Sequence, residues 1–109
     1  MREALGEFEQ LVLLAIVQLK DDVYGVPIVD EIERRTGRSV SAAAVYVTLR
    51  RLEQKGLLSS TMSDPTPERG GKARRCVKVT PAGLDSLRAS RHVLDRMWKG
   101  LDPHLRSGR

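Results

Sequence analysis

The sequence predicts a mainly α-helical chain carrying one small β-hairpin, on three observations. Apolar residues recur at helical spacing in four stretches, and glycine or proline punctuates those stretches. Two short strand-like runs, Leu57 to Met62 and Arg74 to Val79, flank the segment SDPTPERGGKA, which is rich in proline, glycine and charge. The order is helix, helix, helix, hairpin, helix, within 109 residues, enough for one domain and little more.

In the first stretch Leu5, Phe8, Val12, Ala15, Ile16 and Leu19 lie on one helical face, while Leu11, Leu14 and Val17 fill a second. A terminal helix that is apolar on two sides packs on its own domain with one face. The other face is either buried in the same core or left for a second copy of the chain. Asp21 and Asp22 interrupt the pattern, and a second helix runs from about Tyr24 with Pro27 in its first turn. Ile28, Val29 and Ile32 supply its inner face, and Gly37 ends it.

The third helix has the clearest start. Ser41 is placed to cap it, and Val40 and Val45 stand at the two positions of a hydrophobic staple. Val45, Leu49 and Leu52 point inward, Lys55 and Gly56 close the helix, and Ala42, Ala43, Tyr46, Val47 and Arg50 are left facing out. After the hairpin, Thr80 caps a fourth helix with Pro81 at its first position, running to about Lys99. Leu84, Leu87, Leu94, Trp98 and Leu101 fall on alternating steps of three and four, with Arg91 in the one seam position that is not apolar. This seam is too short to pair stably alone, so it is expected to share an interface with the second face of the first helix. Leu11, Leu14, Leu87, Arg91, Leu94 and Trp98 are the expected dimer contacts.

Charge narrows the function. The net charge of +5 is uneven: residues 1–33 carry −6, residues 34–80 carry +8 and residues 81–109 carry +3. A basic centre suits a polyanionic partner met by the middle of the chain. The longest apolar run, Leu11 to Val17, is far short of a membrane span, and MREALGEFEQ lacks the order of a secretory signal, so a cytoplasmic chain is expected. Cys76 is the lone cysteine; it is read as a small strand filler, with oxidant sensing as the other option. His92 and His104 have no second ligand cluster near them in sequence, and no nucleophile, acid-base pair or cofactor loop is visible, so neither a metal, a cofactor nor an enzyme is expected.

Three helices followed by a hairpin is the order of a winged helix-turn-helix, and the tight step from Gly37 to Val40 sets the third helix across the second. Ala42, Ala43 and Ala44 let its backbone approach bases closely. Tyr46 offers a hydroxyl and a ring, Arg50 and the adjacent Arg51 offer donors, and Ser41 with the first N–H groups suits a phosphate. The hairpin tip holds Arg69, Gly70, Gly71, Lys72, Arg74 and Arg75 against Glu68, suited to a DNA backbone or minor groove. The same elements also allow a winged module that docks a protein and binds no DNA; steep salt dependence separates the two.

LGEFEQLVLLAI, YGVPIVDEIE, SVSAAAVYVTLRRLEQKGLL and PERGGKARR followed by VTPAG resemble the PadR family of transcriptional regulators over roughly residues 5–85. The resemblance implies a dimeric repressor whose third helix enters the major groove of double-stranded DNA and whose wing touches flanking DNA. It carries Tyr46 over as the tyrosine of the recognition helix and Arg69, Lys72 and Arg74 as basic wing residues, and it departs at Cys76, where relatives often have an aromatic. It further implies an aromatic effector, for which Trp98 on the seam is the candidate contact, unless Trp98 is a dimer anchor alone. The expected division is 1–80 for the winged domain, 81–101 for a C-terminal dimerisation helix and 102–109 for a frayed tail.

Overall fold

The computed structural model describes residues 4–20, 23–62 and 75–101. Its elements are α1 (Glu7–Leu19), α2 (Gly25–Thr36), α3 (Ala42–Gln54), β1 (Leu58–Met62), β2 (Arg75–Val79) and α4 (Pro81–Trp98). The strands pair antiparallel with Leu58 opposite Val79, Ser60 opposite Val77 and Met62 opposite Arg75. The expected element order is therefore present. Residues 102–109, the expected tail, and the hairpin tip with Arg69, Gly70, Gly71, Lys72 and Arg74 lie outside the described residues.

Val12, Leu13, Val23, Ile28, Val45 and Leu52 form the fully buried centre, joined by Ala15, Ile16, Ile32, Leu49, Leu58, Val77 and Leu87. All four helices and both strands contribute, with aliphatic packing doing what the sparse aromatics cannot. On α1 the inward arc is wider than the spacing of Val12, Ala15 and Ile16 indicates. Leu13, assigned to neither face from sequence, is completely buried, and Leu11, placed on the second face, is half-buried against the core. α2, α3, β2 and α4 all pack on α1, so it buries more than one ordinary amphipathic stripe. Only Leu14 and Val17 remain substantially exposed of that second face.

The helix boundaries follow the caps. Ser41 Oγ accepts from the Ala44 N–H at 3.0 Å, and Thr80 Oγ1 accepts from the Gly83 N–H at 3.1 Å ahead of Pro81. At the end of α3, the Leu57 N–H donates to the Leu52 carbonyl and the Gly56 N–H to the Glu53 carbonyl, each at 3.0 Å, with Gly56 at φ 78°. This reciprocal pair is a Schellman ending, which only a residue at ease in the left-handed region completes cheaply. In the α2 to α3 turn, Gly37 is left-handed at φ 74°, and Glu33 accepts from the Val40 N–H at 3.0 Å, so hydrogen bonds fix both ends of the step that orients α3.

Two connections escaped the sequence. Val23 pairs with Val77, whose N–H donates to the Val23 carbonyl at 2.8 Å, tying the α1 to α2 link to the hairpin. Glu31, on the inner side of α2, is buried and held by both Arg34 and Arg35. Hydrogen bonds from those guanidinium groups keep its carboxyl below the ordinary glutamate range. A carboxyl lowered on folding adds stability that is present above its unfolded pKa and lost as pH falls through its folded one. The melting temperature should therefore be steady near neutrality and drop as pH falls below about 4. Glu31→Gln should flatten that drop in a thermal-melt series, and an identical slope in the variant would remove this role.

Candidate nucleic-acid interface

The exposed side of α3 is built by subtraction. Val45, Thr48, Leu49 and Leu52 are buried, which turns Ala42, Ala43, Tyr46, Val47, Arg50 and Arg51 to solvent. The helix of 13 residues presents this side over about 20 Å. Ser41 is exposed at its start, but its hydroxyl already accepts from Ala44, so what it presents outward is the capped helix end. Arg50 and Arg51 make no ion pair within 4.0 Å among the described residues, although Arg51 is near enough to Glu9 to help lower its carboxyl pKa, so Arg50 is the less committed of the two.

Much of the remaining basic charge near α3 is committed. Arg38 makes a two-pronged contact with Glu7 at 2.9 and 3.2 Å, and Lys55 pairs with Glu9 at 2.9 Å. Arg38 lowers the Glu7 carboxyl pKa directly. At Glu9 burial pushes upward, but Lys55 and the Gly6 N–H more than offset it. These pairs brace α1 against both ends of α3. They also mean that the +8 of residues 34–80 overstates the free charge.

Arg75, grouped with the tip cations from sequence, pairs with Met62 at the tip-side end of the described ladder and stands 3.6 Å from Glu53. Glu53 also accepts from the Ser60 hydroxyl at 2.7 Å, so one carboxylate of α3 meets both strands and fixes how the hairpin leaves the helix. Period-two spacing puts Ser60 and Arg75 on the same strand face as buried Leu58 and Val77, but nothing in it names Glu53 as their partner.

Tyr46 is half-exposed, yet it does not point freely outward. Its ring lies over Gly25, the first residue of α2, where a Cβ would overlap Cζ and the hydroxyl oxygen and stand 2.6 Å from Cε1. A cavity of about 310 Å³ opens beside the ring, lined by Tyr24, Leu49, Arg50, Glu53, Arg75 and Val77. Tyr24, Gly25 and Glu53 were not singled out from sequence as site residues. The glycine could have been, since it occupies a helical position without a visible need for one.

The proposed dimer residues divide into two groups. Leu87 is buried in the core and Leu84 half-buried, whereas from Arg91 onward every described residue is exposed, including Leu94 and Trp98 of α4 and Leu101, which lies beyond the helix end and not on its seam. The first half of the seam thus serves the chain's own domain and the second half is uncovered. Between them lies a groove of about 490 Å³ bounded by Leu14, Val17, Leu87, Arg91, Leu94 and Trp98. Cys76 is half-buried on β2, opposite Thr61. Among the described residues no helix is long and apolar enough to cross a membrane.

The family model for transcriptional regulator PadR-like proteins matches residues 13–89. Transcriptional regulator Rv3488 of Mycobacterium tuberculosis is 36% identical over 77 residues, which span 71% of this chain and 67% of that protein. A PadR family transcriptional regulator from Eggerthella lenta has a similar structure, with a TM-score of 0.67 at 30% identity, covering 91% of this chain and 86% of that one. A PadR family regulator from Clostridium difficile reaches 0.72 at 23% identity, covering 92% and 99%, and speaks for the fold.

Proposed function

Because this chain belongs to the PadR-like family of transcriptional regulators, a family of regulators and not of enzymes, we propose that it represses transcription as a homodimer seated on a pseudo-palindromic operator. The observation that carries this reading is the outward side of α3, where small residues, a half-exposed tyrosine and two exposed arginines share one face. Ala42 and Ala43 allow close approach to base edges, Tyr46 contacts a thymine methyl or a phosphate, and Arg50 reaches guanine or backbone. Arg51 and the start of α3 at Ser41 hold phosphates. The tip residues Arg69, Gly70, Gly71, Lys72 and Arg74 extend the contact to flanking DNA, a role that rests on their charge in the sequence.

The position proposed for the second copy is supported by the uncovered half of α4. Leu94 and Trp98 continue the line of Leu84 and Leu87 past the end of the chain's own core, with exposed Leu101 just past the helix end, beside exposed Leu14 and Val17 of α1. Crossing two such faces buries all five and sets two α3 helices about one DNA turn apart, so the dimer covers a promoter. The groove beside Trp98 is then closed on its open side by the partner. A flat aromatic effector stacking on Trp98 there would act on the spacing of the two halves.

Gel-shift titration tests the reading. Arg50→Ala should lose about 1–3 kcal/mol of preference for operator over random duplex. Lys72→Ala should weaken both alike and lower the salt slope by about one unit. Binding that ignores ionic strength, or an Arg50→Ala variant that discriminates like the parent, would count against it.

A further inference from the structure

We propose that Gly25 is a positioning residue for recognition: its bare Cα lets the Tyr46 ring fold back across the start of α2, and this fixes where the Tyr46 hydroxyl is presented beside Arg50. The proposal rests on the reading of α3 as the DNA-reading helix. It concerns a residue on a different helix.

The glycines with described surroundings separate by what they do. Gly37, Gly56 and Gly100 have positive φ with nothing near the missing side chain, so their backbone conformation explains them. Gly83 lies against the backbone of Leu57. Gly25 has no positive φ and sits at the first position of a 12-residue helix, where glycine is a poorer helix former than alanine. All three of the nearest atoms that a Cβ would meet belong to one side chain, the Tyr46 ring. Space for that ring is the reason the structure gives for a glycine here.

The ring is anchored at its far end. A tyrosine on the open side of a helix keeps its rotamer freedom and must give it up on binding, whereas one laid against a neighbouring helix has already done so. Gly25 is buried while Tyr46 remains half-exposed, so the ring covers α2 with one side and keeps the other for a partner. Because the obstacle is the end of a rotatable side chain, alanine at position 25 displaces Tyr46 and leaves the backbone in place.

A double-mutant cycle separates positioning from general damage. The parent, Gly25→Ala, Tyr46→Ala and the double variant are titrated against an operator recovered from genomic DNA and a scrambled duplex of equal length. Gly25→Ala should lower the operator-to-scrambled affinity ratio about tenfold. It should have no further effect once Tyr46 is alanine, and it should melt at or above the parent temperature. A parent-like ratio in Gly25→Ala overturns the proposal, as does an equal added loss in the Tyr46→Ala background or a strongly lowered melting temperature. In the DNA-free parent, nuclear Overhauser contacts between the Gly25 α-protons and the Tyr46 ring are expected, and their absence overturns it independently of DNA. A parent that fails to discriminate operator from scrambled DNA removes the reading beneath the proposal. A discriminating parent with an indifferent Gly25→Ala variant removes the proposal alone.

Discussion

Leu94→Glu should convert the protein to a monomer and weaken operator binding on the order of 100-fold, while the chain stays folded with a melting temperature that no longer depends on protein concentration. Leu94 is half-exposed on the part of α4 that leaves the core, so the new carboxylate stays solvated in a lone chain. In the proposed dimer the same carboxylate would be buried among apolar side chains beside Arg91, which already pairs with Asp95 at 3.6 Å, so its burial is poorly compensated and costs several kcal/mol. Losing the dimer then removes the second half-site contact, and linked binding of two modules is commonly worth 10² to 10⁴ in affinity. Leu14→Glu on α1, also exposed in the single chain, should act in the same way. Sedimentation and operator titration read both effects. A Leu94→Glu protein that stays dimeric would place the second copy elsewhere.

Gly83→Ala should destabilise the fold by about 3 kcal/mol, the upper end of the cost of forcing extra volume into a packed site. The sign is informative, because helix propensity alone predicts a gain from alanine here. Gly83 is in the first turn of α4, where a Cβ would overlap the Leu57 carbonyl oxygen and stand 2.7 Å from Val79 Cγ1. The carbonyl cannot swing aside as a side chain can: Leu57 follows the Schellman ending of α3, and its oxygen accepts from the Thr80 N–H at 3.1 Å. The close approach holds the start of α4 against the end of α3 and the base of the hairpin. A denaturant titration showing Gly83→Ala as stable as the parent would mean that this contact is looser than described.

The contrast between positions 25 and 83 shows what a sequence conceals. Both are glycines near helix starts, and nothing in either local pattern tells that one faces a movable ring and the other a fixed carbonyl. What was legible is local in origin: Ser41 and Thr80 as caps, Gly37 and Gly56 as terminators, and the inward stripe of α3, which needs only period and composition. The outward exposure of Tyr46, Val47 and Arg50 followed from that stripe. What was hidden depends on contacts between elements distant in sequence. The Val23 to Val77 bridge, the bracing of α3 by Glu7 and Glu9, and the Glu53 link to both strands each join residues that no spacing rule connects. The buried Leu13 on α1 is a packing effect of the same kind, since a helix covered on several sides carries no simple stripe.

These long-range pairs also bear on how a dimer could act on DNA. α1 offers Leu14 and Val17 outward and, through Glu7 and Glu9, grips the turn before α3 and the residue that closes it. In the proposed dimer, a change in the angle between two copies would reach α3 through these ion pairs, of which Lys55–Glu9 is the less exposed.

The central claim is that two α3 faces, held by the terminal helices, lie along one side of a double helix. Hydroxyl-radical footprinting on a genomic fragment captured by the protein tests it most directly. The account predicts protected patches centred about one helical turn, 10 to 10.5 base pairs, apart on the same face of the duplex. Protection of a single patch, or of none, would contradict it.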